Sequence, residues 1–265
     1  MAITTLDGAL AGMLPPQFFM KATAPTLTVG RPYSLWNLAG TPVAGTQDGT
    51  LNGAVLTSNQ GQIPFSNPGS GNTYLARFTA SASQVGTMIL ADRLWSNGGI
   101  SITSTSLQSI TSPTWPARDS NRATLGAGVL IGAELSVATG SGTPTLTLGY
   151  TDAAGNSSLT ATNIHGTTAS SPIGSFFIFG TQGTGVRSVE SIQLSSTWTS
   201  GTLNLVAFRV LAVVDISAAG TPGVVDAITG GFPRLYNNTV PFLIYIPSVT
   251  TAPTGLAGQV VYTQG

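Results

Sequence analysis

The sequence predicts an all-β protein: an antiparallel β-sandwich, jelly-roll-like, with extended Pro/Gly-rich N- and C-terminal arms. Three observations predict it. The middle of the chain is a succession of short apolar runs rich in β-branched and aromatic residues, separated by Gly, Ser, Thr and Asn. No stretch combines a 3.6-residue apolar period with helix caps over a useful length. Both ends are crowded with proline, which cannot donate to a central ladder and so reads as extended chain, edge strand or loop. The boundaries fall at an N-terminal arm over 1–72, a sandwich body over 73–215 and a C-terminal arm over 216–265.

Within the body, residues 74–80 and 87–91 are β-prone runs divided by Ser, Gln and Gly. Residues 99–103 alternate apolar and hydroxyl side chains with period two, the mark of a half-buried strand. The hydroxyl-rich stretch 101–112 keeps spaced apolar residues and reads as strand plus turn. Residues 129–137 are longer and more apolar, as a central strand should be. Residues 143–151 alternate strictly; Asp152-Ala-Ala-Gly155-Asn156 then supplies a turn, and 158–164 returns as hairpin partner. Further strands are expected at 175–179, 186–194 and 203–214.

The arms carry large apolar groups that a flexible linker rarely has. Phe18, Phe19, Trp36, Phe232, Tyr236, Phe242 and Tyr245 are the expected interface anchors, packing on the body or on a neighbouring subunit.

Composition narrows the function. Only 9 Lys+Arg and 9 Asp+Glu occur in 265 residues, 7% against about 25% in an ordinary domain. The 38 Thr and 27 Ser carry much of the polarity instead. A formal net charge of zero leaves no basic footprint for nucleic acid. Absence of Cys removes disulfides, thiolate metal sites and thiol nucleophiles. No apolar run approaches the roughly 20 residues of a membrane helix, and the N-terminus lacks the pattern of a secretory signal. Residues 153–186 and 235–265 contain no charged side chain, which maps surface expected to be covered by other subunits.

The catalytic inventory is thin. His165 is the single histidine and ends a strand-like segment, so it reads as a loop residue. The carboxylates Asp7, Asp48, Asp92, Asp119, Glu134, Asp152, Glu190, Asp215 and Asp226 could pair as in a glycosidase. Several adjoin arginine, in Asp92-Arg93, Arg118-Asp119 and Arg187 with Glu190, which points to structural ion pairs instead. No phosphate loop, metal set or cofactor motif is present. Trp95, Trp115 and Arg118 are the residues suited to contacting a sugar or other ligand, because an aromatic beside arginine can stack one.

Several segments carry a family resemblance. They are Met1-Ala-Ile-Thr-Thr-Leu-Asp-Gly-Ala-Leu-Ala-Gly-Met13, Arg31-Pro-Tyr-Ser-Leu-Trp36, Asp92-Arg-Leu-Trp95, Thr114-Trp-Pro-Ala-Arg-Asp119, Gly231-Phe-Pro-Arg-Leu-Tyr236, Val240-Pro-Phe-Leu-Ile-Tyr-Ile-Pro247 and Gly258-Gln-Val-Val-Tyr-Thr-Gln-Gly265. Together they resemble the virion structural proteins of tailed bacteriophages. The resemblance implies a non-enzymatic protein located in the virion and assembled in the host bacterial cytoplasm. It covers capsid decoration (cement) proteins and tail components. Arms with apolar anchors and the avoidance of ions at interfaces favour head decoration, with the major capsid protein or other virion proteins as partner. A homo-oligomer, taken as a trimer by analogy with three-fold docking points, is expected. The alternative is a tail, baseplate or fibre protein whose jelly roll binds a host receptor or carbohydrate.

Overall fold

A computed structural model describes residues 3, 5–22, 27–231 and 233–265. In chain order the elements are α1 (Leu6–Ala11), β1 (Gln17–Lys21), β2 (Tyr33–Ser34), β3 (Gly40–Thr41), β4 (Ala54–Val55), β5 (Thr73–Ala82), β6 (Gly86–Ser96) and β7 (Gln108–Ser109). Then follow β8 (Val129–Val137), β9 (Leu146–Asp152), β10 (Leu159–Thr162), β11 (Phe176–Ile178), β12 (Val186–Leu194) and β13 (Thr202–Ile216). The last are β14 (Gly223–Asp226), α2 (Ala227–Gly230), β15 (Arg234–Leu235), β16 (Pro241–Pro247) and β17 (Leu256–Gln264). Apart from two short helices the described residues are all-β, and the paired strands are antiparallel.

The strands form three sheets. A seven-stranded sheet runs β11-β8-β13-β6-β16-β2, with β4 also on β6. A four-stranded sheet runs β10-β9-β12-β7, and a six-stranded one β14-β5-β17-β1-β3, with β15 also on β5. Both smaller sheets pack on one face of the large one, because β6 and β13 are long enough to serve two cores. The first core joins Ile131 and Leu135 of β8, Leu146 and Leu148 of β9, and Val189 and Ile192 of β12, with Trp115 and Trp198. The second joins Phe19, Phe78, Leu90, Val214, Leu243, Tyr245 and Val260. On β6, Leu94 belongs to the first core and Leu90 to the second. The opposite face of the large sheet is covered by Trp36 and Leu56, which pack with Ala91, Phe208, Phe242 and Ile244.

The body strands follow the sequence closely. β8 and β12 have the expected bounds, and β10 pairs with β9 as the expected hairpin. The turn forms as read: both carboxylate oxygens of Asp152 accept from Asn156, and Gly155 has φ 93°. Residues 99–103 differ. Ile100 and Ile102 are buried as their alternation implied, yet the segment is a loop, and only β7 forms farther on. Helices α1 and α2 were not expected. Each is short, and each is started by a side-chain cap, Thr5 and Asp226 respectively, that a periodicity search over longer windows passes by.

The arms differ most. The C-terminal segment supplies interior strands, with β16 between β6 and β2 and β17 between β5 and β1. Proline does not prevent this in β16, because Pro241 and Pro247 occupy its first and last positions and leave five donors between them. The charge-free stretch 235–265 is therefore explained inside the protomer. It buries Leu235, Phe242, Tyr245, Val260 and Tyr262 in the chain's own cores. The N-terminal segment is tied in by β1 on β17, and its Arg31 donates to Gly166 O and Thr168 Oγ1.

Burial of Leu256, Val260 and Tyr262 contributes roughly 1.5–3 kcal/mol each. The ladders to β5 and β1 add to that, against a usual net stability of about 5–15 kcal/mol. Deleting 256–264 is therefore expected to abolish cooperative unfolding, read by circular dichroism during thermal melting. A sharp native-like transition in the truncated chain would contradict the interior placement of β17.

Candidate docking face and buried ion pairs

Alternation along β6 places Asp92 between Leu90 and Leu94, on the face where the two cores meet. A bare carboxylate there would be costly. Arg118 meets it, with Nε donating to Asp92 Oδ2 at 3.0 Å, while Val240 N–H donates to Oδ1 at 2.9 Å. The rest of the guanidinium is used on backbone. Nη1 donates to Leu56 O at 2.8 Å and to Asn238 O; Nη2 donates to Arg93 O at 3.0 Å. One side chain thus ties the N-terminal segment, the long strand β6 and the C-terminal segment together. Asp119 is also fully buried, and its carboxylate accepts from the backbone N–H groups of Asn121, Ala123, Gly126 and Ala127.

The neighbouring residue Arg93 points to the other face of β6. It forms a bidentate pair with Glu134 on β8, at 3.1 and 2.8 Å, and its Cζ lies 4.5 Å from the ring centroid of Trp36. Gly45 lets Trp36 sit there, since a Cβ at that position would come within 2.2 Å of the indole. Burial pushes the Glu134 carboxyl up. The charge of Arg93 and hydrogen bonds from Arg93, Ser34 and Gln47 outweigh this and hold it below the ordinary value of 4.5.

These partners differ from the expected ones. Asp92 pairs with Arg118 and Arg93 with Glu134, not Asp92 with Arg93 or Arg118 with Asp119. Sequence neighbours on a strand point to opposite faces, so adjacency works against pairing. Glu190 accepts from Thr151 Oγ1. His165 lies half-buried in a loop, where burial and then the charge of Arg31 hold its imidazole below the usual value. Among the described residues no group of three His, Asp or Glu is placed to hold a metal ion.

The expected ligand contacts are likewise relocated. Trp95 and Trp115 lie inside the first core with ring centroids 5.4 Å apart, and their Nε1 groups donate to Asn52 O and Val186 O. Arg118 is committed to the network above. Of the expected interface anchors, Phe19, Trp36, Phe242 and Tyr245 are buried in the protomer's own cores. Their large apolar area packs within the chain's own cores. Tyr236 is half-buried and lies under the guanidinium groups of Arg209 and Arg234. Phe232 lies outside the described residues.

Phe18 remains. On β1, Phe19 and Lys21 turn inward, while Phe18 and Met20 face outward and are 68% and 62% exposed. Leu6 and Leu10 of α1, Met13, Val224 of β14 and Ile228 of α2 are exposed on the same six-stranded layer. An apolar cleft of about 240 Å³ opens between α1 and α2, with Arg77, Asp226 and Thr263 also on its wall. Sequence reasoning found Phe18 but missed α1 and Ile228, because their exposure follows from how the helices seat on the sheet.

No protein-family model matches the chain, and no curated protein matches it. Among solved structures it is similar to the VP2 subviral particle of infectious bursal disease virus, at 11% identity over 96% of this chain and 81% of that one, with TM-score 0.17. The Gx strain of infectious bursal disease virus gives 12% identity over 95% and 82%, with TM-score 0.19. Likeness at this level leaves fold and function to be argued from the chain itself.

Two outcomes are expected of the ion pairs. Arg118→Lys supplies one nitrogen where three are used, so it should cost about 2–3 kcal/mol in urea unfolding. An unchanged midpoint would refute the bridging role. Glu134 has its folded value depressed, so its contribution is fully present above about 4.5 and is lost as pH falls through the lower folded value. Glu134→Gln should destabilise by about 3–5 kcal/mol near neutrality by stranding Arg93. It should also flatten the acid limb of a melting-temperature profile relative to the parent.

Proposed function

We propose that the chain is a non-enzymatic structural protein of a tailed-bacteriophage virion, acting as a head decoration or cement protein. It sits on the assembled shell and contacts the major capsid protein and further copies of itself, as a trimer. The observation that supports this reading is the exposed apolar layer formed by Phe18, Met20, Leu10 and Ile228 on the six-stranded sheet. Apolar groups gathered on one layer of a monomer mark a contact surface. A β-sheet backed by a full core presents that surface rigidly, which limits the entropy lost on docking. Very few ions need to be desolvated when such a face is covered.

The tail or fibre reading has less support, since Trp95 and Trp115, its nominated sugar contacts, are enclosed.

The test is co-sedimentation with purified expanded heads that lack decoration. The parent chain should saturate them in numbers comparable to the shell subunits. The variant Phe18→Ser/Met20→Ser, altered only at exposed positions, should bind at least about tenfold more weakly. Equal binding by the variant would remove this face as the docking surface. Recovery of only a few copies per virion, by quantitative mass spectrometry, would move the protein from head to tail.

A further inference from the structure

A second surface feature lies where β15 ends the six-stranded sheet, and its reading does not depend on the docking reading. A cleft of about 320 Å³ opens between the 116–122 loop and the 234–238 segment, with Arg118, Arg122, Arg234, Asn72, Tyr236 and Asn238 among its lining residues. This volume is at the lower end for small-molecule sites, about 300–1,000 Å³. No Asp or Glu lines it.

Charge accumulates here. Arg118, Arg122 and Arg234 line the cleft, and Arg209 stacks on Tyr236 together with Arg234, at 5.3 and 5.4 Å from the ring centroid. The carboxylates joined to this corner are Asp92 and Asp119, both fully buried and both saturated by donors. Four guanidinium groups against two carboxylates leave an excess of two positive charges, in a chain whose formal net charge is zero.

The donors are positioned but not all used. Arg234 is oriented by Tyr236 and by donation to Asn72 Oδ1, and its buried Nε has no partner among the described residues. The buried Nε of Arg209 also has none among those residues. Arg122 is exposed at the rim, and its side chain has no partner among the described residues. Asn238 is pinned by its backbone N–H donating to Asn67 Oδ1 and by its own Oδ1 accepting from Asn67, which leaves its amide N–H groups available.

We propose that this cleft binds an acidic sugar, its carboxylate held by Arg122 and Arg234 and its hydroxyls by the amide of Asn238. Planar guanidinium groups match a carboxylate in bidentate fashion. Neutral amides suit hydroxyl groups, and the volume exceeds the need of a bare oxyanion. Nucleic acid would call for a free aromatic face, and the Tyr236 ring is already engaged by two arginines.

The test is calorimetric titration of the full chain with glucuronate, galacturonate and N-acetylneuraminate, beside glucose and inorganic sulfate. At least one acidic sugar should bind, more weakly as salt is raised, and glucose should not. Arg122→Asn should weaken that binding about tenfold or more. Asn accommodates the φ of 60° at this position, so the variant should keep the parent melting temperature. Arg234→Gln should weaken it as well. The proposal is overturned if no acidic sugar binds, if sulfate binds as tightly as the best sugar, or if Arg122→Asn leaves affinity unchanged. Head binding through Phe18 is read separately, by co-sedimentation with Arg122→Asn, whose loop lies outside the six-stranded sheet.

Discussion

The Arg118–Asp92 pair is the constraint around which the fold is arranged. The large sheet must serve two cores on one face, and its strand β6 carries a carboxylate at their junction. An ion there must be matched in full or the sheet cannot close over it. Arg118 does the matching, and its remaining nitrogens reach carbonyls from both terminal segments. A carboxylate that also accepts the Val240 N–H helps hold β16 in register beside β6. Closing the junction and placing the two ends of the chain are therefore one event.

The same economy applies to the other charges. Nine of the eighteen charged side chains are buried: Lys21, Arg31, Asp92, Arg93, Arg118, Asp119, Glu134, Asp152 and Arg209. Lys21, the single lysine, donates to the carbonyls of Leu38, Pro42 and Val43, and burial lowers its pKa to about 8. Charge here is used chiefly inside the molecule, the cations donating to backbone carbonyls and the carboxylates accepting from backbone N–H groups. Ser, Thr, Asn and Gly supply much of the surface, and two features of it bear on function. One is the apolar layer around Phe18, and the other is the arginine-lined cleft around Arg122.

Legibility from sequence followed the range of the interactions. The bounds of β8 and β12 and the β9–β10 hairpin were readable, because side-chain alternation and a Gly-Asn turn are local signals. The burial of Ile100 and Ile102 was readable and their loop conformation was not, since strand pairing needs a partner in space. The fates of Phe18 and Phe19 show the limit most directly. They are adjacent and chemically identical, yet one faces solvent and the other fills a core.

By itself the sequence determined the class: all-β, antiparallel, without disulfides, sparing of charge, with large apolar groups in both terminal segments. Those properties follow from composition and period-two patterning, which act along the chain. Tertiary structure alone decided that Arg118 would choose Asp92 over its neighbour Asp119, that Trp95 and Trp115 would face each other in a core, and that the terminal segments would be interior strands. Each of these depends on which residues distant in sequence share a sheet face. Burial then makes partner choice a matter of full hydrogen-bond satisfaction rather than proximity along the chain.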